Sequence, residues 1–236
     1  MPNIFNRSEI IVIDSKDALE QAALQYGVLP FFANPVEGFS VQEMAVPGML
    51  FGGFDGYDGC WEWKGPVIRE QTTAYGKFFK RKAGFVSREL LPHFLNYRRH
   101  AYPVADGSTE SMILEMIRQH EGLTSTELRK LILGSARVVH ADSSGIPRLK
   151  RGSLETPLQR LQMGGWLLIA DFEYKITSQG NRYGWGIALY STPEIWFESN
   201  FSLNGISPEE SFERLVKDVS HRIPWADPKQ IRSFLS

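Results

Sequence analysis

The chain has 236 residues, a formal net charge of −1 and 42% hydrophobic residues, a composition typical of a packed globular protein of one large or two small domains. Its single cysteine, Cys60, excludes an intrachain disulfide and a multi-cysteine metal site. No stretch approaches the roughly 20 apolar residues of a membrane span, and the first residues lack an apolar signal core, so we expect a cytoplasmic protein without a membrane partner or a cofactor.

The N-terminal segment is predicted to contain a strand and two capped helices. Residues 9–13 are rich in Ile and Val and favour a strand. Asp14 or Ser15 then caps a helix that ends at Gly27, and a second capping box begins at Ser40. The residues expected to face inward on the first helix are Leu19, Ala22, Ala23 and Tyr26.

Charge is distributed unevenly along the chain. Residues 1–62 hold nine acids and two bases, whereas residues 63–99 hold nine bases and two acids. One interpretation is that these segments pack together and pair their charges. The other is that the middle segment forms a basic groove that binds phosphates by displacing counterions. The candidate secondary basic patch consists of Lys64, Lys77, Lys80, Arg81 and Lys82.

The middle segment, residues 61–100, is the densest in aromatic residues. Residues 61–64 alternate apolar and polar side chains, and this pattern predicts a strand. The other predicted elements here are strands at 74–79 and 84–86 around a turn at 80–82, a helix at 90–97 and a linker at 102–107.

Glu62 is the one weak candidate for a catalytic residue, and the catalytic set is otherwise unknown. Its apolar flanks, Trp61 and Trp63, disfavour an ionised carboxylate and would suit it to acid–base chemistry. The alternative is a structural ion pair. The five histidines form no His-x-x-x-His pair, so no metal site is expected. The candidate partners of that ion pair are Lys64, Lys77 and Arg69.

Residues 108–192 show three amphipathic helices followed by a hairpin. The first helix begins at Ser108 or Thr109, the second at a capping box from Thr124 to Glu127 and ends at Gly134, and the third begins at Ser153. The Gly164–Gly165 pair ends the third helix, and strands at 166–175 and 183–190 flank a turn at 178–181. This order is that of a winged helix-turn-helix, although an ordinary α+β domain can also produce it.

The predicted fold class is therefore α+β, with a winged helix-turn-helix in the C-terminal half packed against a small N-terminal α+β segment. We expect an N-terminal domain over residues 1–102, the winged helix over 108–192, and a helical extension over 193–236. Two helices of that extension are signalled by Ser207 and Asp227, each followed by a proline at the first helical position.

If the winged helix binds duplex DNA, its third helix would enter the major groove with its first turns nearest the bases. Its solvent side offers Thr156, Gln159 and Arg160, beside an unfavourable Glu155. The other predicted nucleic-acid contacts are Arg148, Lys150 and Arg151 to phosphates, and Lys175, Asn181 and Arg182 at the hairpin tip. A balanced charge also fits a protein-contact module, in which the hairpin and the aromatic middle segment bind a partner or a second copy.

Several strings together resemble the AlkZ-related family of small bacterial proteins. They are residues 61–66, 74–79 with 82–87, 158–162, and 183–194, and the resemblance covers about residues 40–235. It implies a winged-helix fold and a DNA-related role, because AlkZ-type DNA glycosylases contain winged-helix domains and a β-barrel and unhook crosslinked or alkylated bases.

The catalytic signature of those glycosylases is two glutamines spaced one apart, or a glutamine and an aspartate. Here Gln159 and Gln162 are three apart, and Gln71 is followed by two threonines. The resemblance therefore assigns no catalytic residue. The expected function is DNA binding or an association with DNA repair, with no enzymatic activity assigned; a protein-interaction module and a diverged DNA glycosylase are the alternatives.

A more local resemblance, over residues 60–65 and 75–78, is to phage-type HNH endonucleases. Those enzymes require a histidine base and metal ligands. The nearest histidines are His93 and His100, and neither is followed by an Asn-His or paired-cysteine pattern. The simpler interpretation is that aromatic strand pairs fill a small core.

Overall fold

The computed structural model describes residues 10–52, 58–138, 154–179 and 182–236. Helices and strands are both present, which confirms the α+β prediction. The helices are α1 (Lys16–Tyr26), α2 (Val41–Met44), α3 (Cys60–Arg69), α4 (Leu91–Ala101), α5 (Thr109–Gln119), α6 (Ser125–Val138), α7 (Glu155–Met163), α8 (Pro193–Trp196), α9 (Pro208–Arg222) and α10 (Pro228–Leu235). The strands are β1 (Val28–Pro30), β2 (Thr73–Phe79), β3 (Lys82–Ser87), β4 (Leu123–Thr124), β5 (Leu168–Ile176) and β6 (Arg182–Ser191).

In the described part of the chain, the strands form two antiparallel sheets of three strands each, in the orders β1-β3-β2 and β4-β6-β5. In the first sheet Tyr75 lies opposite Phe85. Lys80 and Arg81 join β2 to β3 with positive φ angles of 47° and 69°, the left-handed conformation of a tight hairpin turn whose twist matches that of the strands. Lys82 already belongs to β3, so the turn is one residue shorter than predicted.

The helix starts predicted at Ser15, Ser207 and Asp227 are confirmed, whereas α7 begins at Glu155 after Leu154 without a side-chain cap, and Ser153 lies outside the described residues. Ser15 accepts the N–H of Ala18 at the start of α1, and the predicted inward face of that helix is buried. Ser207 and Glu210 cap α9 reciprocally. Asp227 accepts the N–H of Lys229 at the start of α10. These side chains satisfy amides that have no partner within the helix, which explains why each helix begins where it does.

The predicted strand at 61–64 is wrong, because these residues lie in α3. The carboxylate of Glu62 accepts the N–H of Gly59 at 3.0 Å and stabilises a helix start there. Lys64, Val67 and Ile68 are buried at the three- and four-residue spacing of one helix face. Four alternating residues are too few to separate a strand from a helix whose apolar face begins nearby.

Two other boundaries differ from prediction. Of the strand expected at 9–13, Glu9 lies outside the described residues, and residues 10–13 form only an isolated bridge between Ile13 and Ala45. Helix α6 runs through Gly134 to Val138. A glycine inside a helix costs about 1 kcal/mol relative to alanine, and that cost does not end α6.

Among the residues that the structure describes, buried apolar side chains form two clusters. The larger joins α1, α3, α4, the first sheet, the start of β5 and the C-terminal helices α9 and α10. The C-terminal helices therefore return to the N-terminal segment: the rings of Phe79 and Phe234 stack at 4.8 Å, and those of Tyr97 and Phe212 at 4.4 Å. The smaller cluster comprises Ile113, Leu114, Ile117, Leu123, Leu128, Leu154, Leu158, Leu161 and Leu167.

Arg98, on α4, bonds to the ends of α7 and α10 and to strand β2. Its side chain is 2% exposed, and its guanidinium donates to three backbone carbonyls: Met163 at the end of α7 (2.7 Å), Leu235 at the end of α10 (3.3 Å) and Phe78 in β2 (2.6 Å). Helix ends present carbonyls without intrahelical partners. One cation therefore fixes two helix ends and a strand around α4.

Within the described ranges, no helix has the length and apolar character needed to cross a membrane.

Candidate nucleic-acid interface

Helix α7 has one face in the core and one face in solvent. Leu154, Leu158 and Leu161 are buried in the smaller cluster. Thr156 and Arg160 are exposed, and Gln159 between them is half-buried. The three- and four-residue spacing of these positions places them on one side of the helix. The polar side predicted for this helix is therefore present as an open surface.

The elements around α7 follow the order α5, β4, α6, α7, β5, β6. Helix α5 packs against α7 in the smaller cluster. The two-residue strand β4 pairs with β6, with Thr124 opposite Leu189. The three helices and the hairpin match the predicted order, whereas β4 was not predicted because two residues carry no detectable alternation.

The other predicted nucleic-acid contacts are placed only in part. Lys175 is exposed near the end of β5, opposite Tyr183, and Arg182 is the first residue of β6. Three predicted contacts thus lie on α7, and two lie on the strands of the hairpin. The predicted contacts that lie outside the described residues are Arg148, Lys150, Arg151 and Asn181.

Two ion pairs flank the open side of α7. Arg160 Nε lies 3.4 Å from Glu110 Oε1 of α5. Lys77 Nζ, from β2, lies 3.9 Å from Glu155 Oε1 at the start of α7. A basic residue of the first sheet therefore lies beside a helix of the smaller cluster.

Gln162 is the residue that holds β2 against α7. It is 1% exposed; its Oε1 accepts the backbone N–H of Lys77 at 3.0 Å, and its Nε2 donates to the carbonyl of Leu158 at 3.1 Å. From the sequence alone, Gln162 belongs to a family string and fails the spacing of the catalytic signature, and no structural role is predicted for it. A polar residue inside the leucine stripe of an amphipathic helix is the signal that would have indicated a buried hydrogen-bond bridge.

The predicted secondary basic patch is not a single surface. Lys64 is 1% exposed and lies in the core. Lys80 donates to the carbonyl of Ser233 at 2.6 Å, and Lys82 to that of Ala33 at 2.9 Å. Arg81 is exposed at the hairpin turn. Of these residues only Lys64 is thus removed from the surface, while Lys80, Arg81 and Lys82 are all exposed around the β2–β3 turn, where the two lysines also donate to backbone carbonyls.

Charge pairing between the acidic first segment and the basic middle segment is also not observed. Among the described residues, no ion pair joins a base of 63–99 to an acid of 10–62. The bases reach later acids instead, as in Arg69 with Asp171 and Arg99 with Glu194, both at 2.7 Å. An ion pair that does join the two segments has the opposite sense, with Lys16 3.1 Å from Glu70.

Lys64 is held between aromatic rings. Its ammonium donates to the carbonyl of Trp61 and lies 3.6 Å from the centre of the Trp61 ring and 4.4 Å from that of Phe172 in β5. Burial lowers the pKa of Lys64 to about 7, and the charge of Glu62 opposes that shift. The side chain is therefore divided between its charged and neutral forms near neutral pH.

Glu62 caps α3 through its bond to Gly59. The predicted ion pair is wrong, because the described residues show no cation of Lys64, Lys77 or Arg69 within 4.0 Å of its carboxylate. Next to it, burial raises the pKa of Cys60 to about 11, which favours an unreactive thiol. The observed roles of both side chains are structural.

The described residues contain no group of three or more His, Cys, Asp or Glu side chains arranged to hold a metal ion. His93 Nδ1 lies 3.2 Å from Ser211 Oγ. The strand aromatics Tyr75, Phe78, Phe79 and Phe85 are buried in the larger cluster.

A family model described as "AlkZ related" matches residues 13–236. A comparison with curated proteins gave no match, and a comparison with solved structures gave none either.

Proposed function

The chain belongs to the AlkZ-related family, and we propose that it binds duplex DNA through a winged helix-turn-helix, in a role associated with DNA repair. In this proposal the winged helix spans residues 108–192, the N-terminal α+β domain residues 1–102 and the helical extension residues 193–236. The unit is built from α5, α6, α7 and the β5–β6 hairpin, with α7 as the recognition helix.

The observation that carries the proposal is the two-sided character of α7. Its leucines are in the smaller cluster, and Thr156, Gln159 and Arg160 lie on the other side. A helix that enters the major groove needs an open polar side, because it reads base edges with hydrogen-bonding side chains. The connection of α7 to an antiparallel hairpin supports the same assignment, because the hairpin supplies the wing.

The contacts divide by chemistry. Gln159 suits an adenine edge, the pairing that bidentate geometry favours, and Arg160 suits a phosphate beside it. We assign Arg148, Lys150 and Arg151, which precede α7, to phosphates. Phosphate contacts position a protein on the duplex without reading its sequence. The wing contacts are assigned to Lys175, Asn181 and Arg182.

The association with repair comes from the family name, since AlkZ-type proteins are DNA glycosylases. No catalytic role is assigned here. Glu62 is engaged in capping α3, and the amide of Gln162 is engaged in the contact between α7 and β2. The proposal is therefore DNA recognition, with a diverged glycosylase to be tested by incubating the protein with alkylated duplexes and assaying abasic sites.

The test is a fluorescence-anisotropy titration of labelled duplex and single-stranded DNA at low and physiological salt. We expect saturable duplex binding that weakens steeply as salt rises, because phosphate contacts release counterions. Arg160→Ala should weaken binding to any duplex by about 5-fold and reduce the salt slope by about one, as loss of a phosphate contact does. Lys217→Ala removes an exposed base from α9 and should leave binding unchanged. Absence of saturable binding at low salt would overturn the proposal.

A second candidate function is protein contact through the hairpin. Ile176, at the end of β5, is 56% exposed, whereas the strand aromatics of the middle segment are buried and so unavailable to a partner. If the hairpin binds a second copy of the chain, sedimentation-velocity runs should show a dimer that Ile176→Lys reduces. A concentration-independent monomer would exclude self-association.

A further inference from the structure

The two bases that flank the open side of α7 are each paired with a carboxylate. Lys77 faces Glu155 from β2, and Arg160 faces Glu110 from α5. The exposed fraction is 37% for the Lys77 side chain and 75% for Glu155. It is 56% for Arg160 and 23% for Glu110. Both pairs are thus open to solvent on at least one side, and an incoming phosphate can reach them.

We propose that Glu155 and Glu110 guard the DNA-contacting surface, holding Lys77 and Arg160 until phosphates of duplex DNA replace the carboxylates. This inference rests on the proposed function and extends it in two ways. It adds Lys77, a residue of the N-terminal sheet, to the DNA-contacting surface. It also assigns two acids to the control of affinity.

The position of Lys77 beside α7 is fixed by its backbone. Its N–H donates to Gln162, which is buried and bonded to Leu158 in the same helix. The flexible part of Lys77 is therefore its side chain alone, which can exchange one anion for another without movement of β2. Glu110 is similarly placed, since it lies in the first turn of α5 behind the Ser108 cap.

The exchange is feasible because each pair is weak. Ion pairs with this exposure contribute little to stability, whereas a charge-assisted bond to phosphate is among the stronger hydrogen bonds. After the exchange, the displaced carboxylates remain near the phosphates and repel them. The two acids therefore lower the affinity for any duplex, and favour duplexes that add base contacts with Thr156 and Gln159.

The experiment measures duplex affinity and its salt dependence for wild type, Glu155→Gln, Glu110→Gln and the double variant. The matched control is Glu209→Gln, because Glu209 lies in the first turn of α9 as Glu155 lies in the first turn of α7. The substitution therefore makes the same change of charge and of helix-dipole interaction away from α7.

We expect each guarding variant to bind duplex about 3- to 5-fold more tightly, and the double variant about 10-fold. The slope of log affinity against log salt should steepen by about one for each freed base. Lys77→Ala in the Glu155→Gln background should remove the gain, whereas Glu209→Gln should bind within 2-fold of wild type.

Two failures have different meanings. If wild type binds and the guarding variants match Glu209→Gln, the guarding role is wrong and the proposed function stands. If neither wild type nor any variant binds duplex at low salt, the DNA-binding proposal fails, and the guarding role fails with it.

Discussion

The basic middle segment, residues 63–99, and the open side of α7 use their cations in different ways. In the middle segment, Arg98 and Lys64 donate to backbone carbonyls inside the protein, and Lys80 donates to a carbonyl near the end of α10. On α7, Arg160 faces a carboxylate at the surface. The excess of positive charge in this segment therefore overstates how much of that charge lies at the surface, because Arg98 and Lys64 are buried.

The difference follows from what surrounds each base. Helix ends and turns present carbonyls without intrahelical partners, and a buried cation that meets several of them is satisfied without an anion. A base on an exposed helix face has water and mobile acids as neighbours. Counting charges along a sequence does not distinguish these two environments.

The largest effect is expected for Arg98→Met. The substitution leaves the carbonyls of Met163, Leu235 and Phe78 without their shared donor, and each unsatisfied buried group costs about 1–3 kcal/mol. We expect a loss of about 3 kcal/mol or more in the free energy of unfolding, measured by urea denaturation. Arg81→Met, at the exposed turn, should stay within about 0.5 kcal/mol of wild type. Equal stabilities for the two variants would show that the bonds from Arg98 to these three carbonyls do not stabilise the fold.

The next effect is pH-dependent and belongs to Lys64. Its pKa is about 7 in the folded chain against an ordinary 10.5, so between these values the unfolded chain binds more protons. Stability should therefore rise with pH above 7, by at most about 1.4 kcal/mol per unit, and this gain vanishes below pH 7, where both states are protonated. Lys64→Met should lose that rise.

The measurement for Lys64 is urea denaturation of wild type and Lys64→Met at pH 6, 7, 8 and 9. Cys60, whose raised pKa lowers stability as pH passes the ordinary thiol value of 9.0, is present in both proteins, so its contribution cancels in the comparison. Parallel stability curves for the two proteins across this range would contradict the buried, partly neutral lysine.

A moderate effect is expected for Gln162→Leu. The change removes the acceptor for the N–H of Lys77 and should cost about 1–3 kcal/mol in the free energy of unfolding. Gln159→Leu, on the open side of the same helix, should cost less than about 0.5 kcal/mol. Amide hydrogen exchange at Lys77 should also accelerate in the Gln162 variant, and unchanged protection there would argue against the bridge.

The smallest effect is expected for Glu62→Ala. Loss of the cap at Gly59 should lower stability by about 1 kcal/mol, whereas Glu62→Gln should retain part of the bond. Thermal unfolding of both variants checks the order. If Glu62→Ala were as stable as wild type, the bond to Gly59 would not stabilise α3. Glu62 would then again be a candidate for a functional carboxylate.

Much of the fold could be predicted from local signals. Ser15, Thr124, Ser207 and Asp227 begin helices because each of these side chains can accept an amide close in sequence. The wrong prediction of a strand at residues 61–64 has a local cause as well, because four residues are a short pattern. The bond from the Gly59 N–H to Glu62 marks the start of α3, and it is expected only if a helix is already predicted there.

The candidate site was less predictable. The exposure of Thr156 and Arg160 follows from the leucine spacing of α7, so this part could be derived from periodicity. The pairing of Lys77 with Glu155, and the bridge through Gln162, join residues about eighty positions apart. Such contacts depend on how β2 packs against α7, which no local pattern specifies.

The most direct test of the central claim is an amide chemical-shift map of the protein titrated with duplex DNA. We predict that the largest shifts fall on Thr156, Gln159 and Arg160, with smaller shifts at Lys77 and Lys175, and that α9 and α10 stay unchanged. Shifts confined to the C-terminal helices, or none at saturating DNA, would contradict the assignment of α7 as the recognition helix.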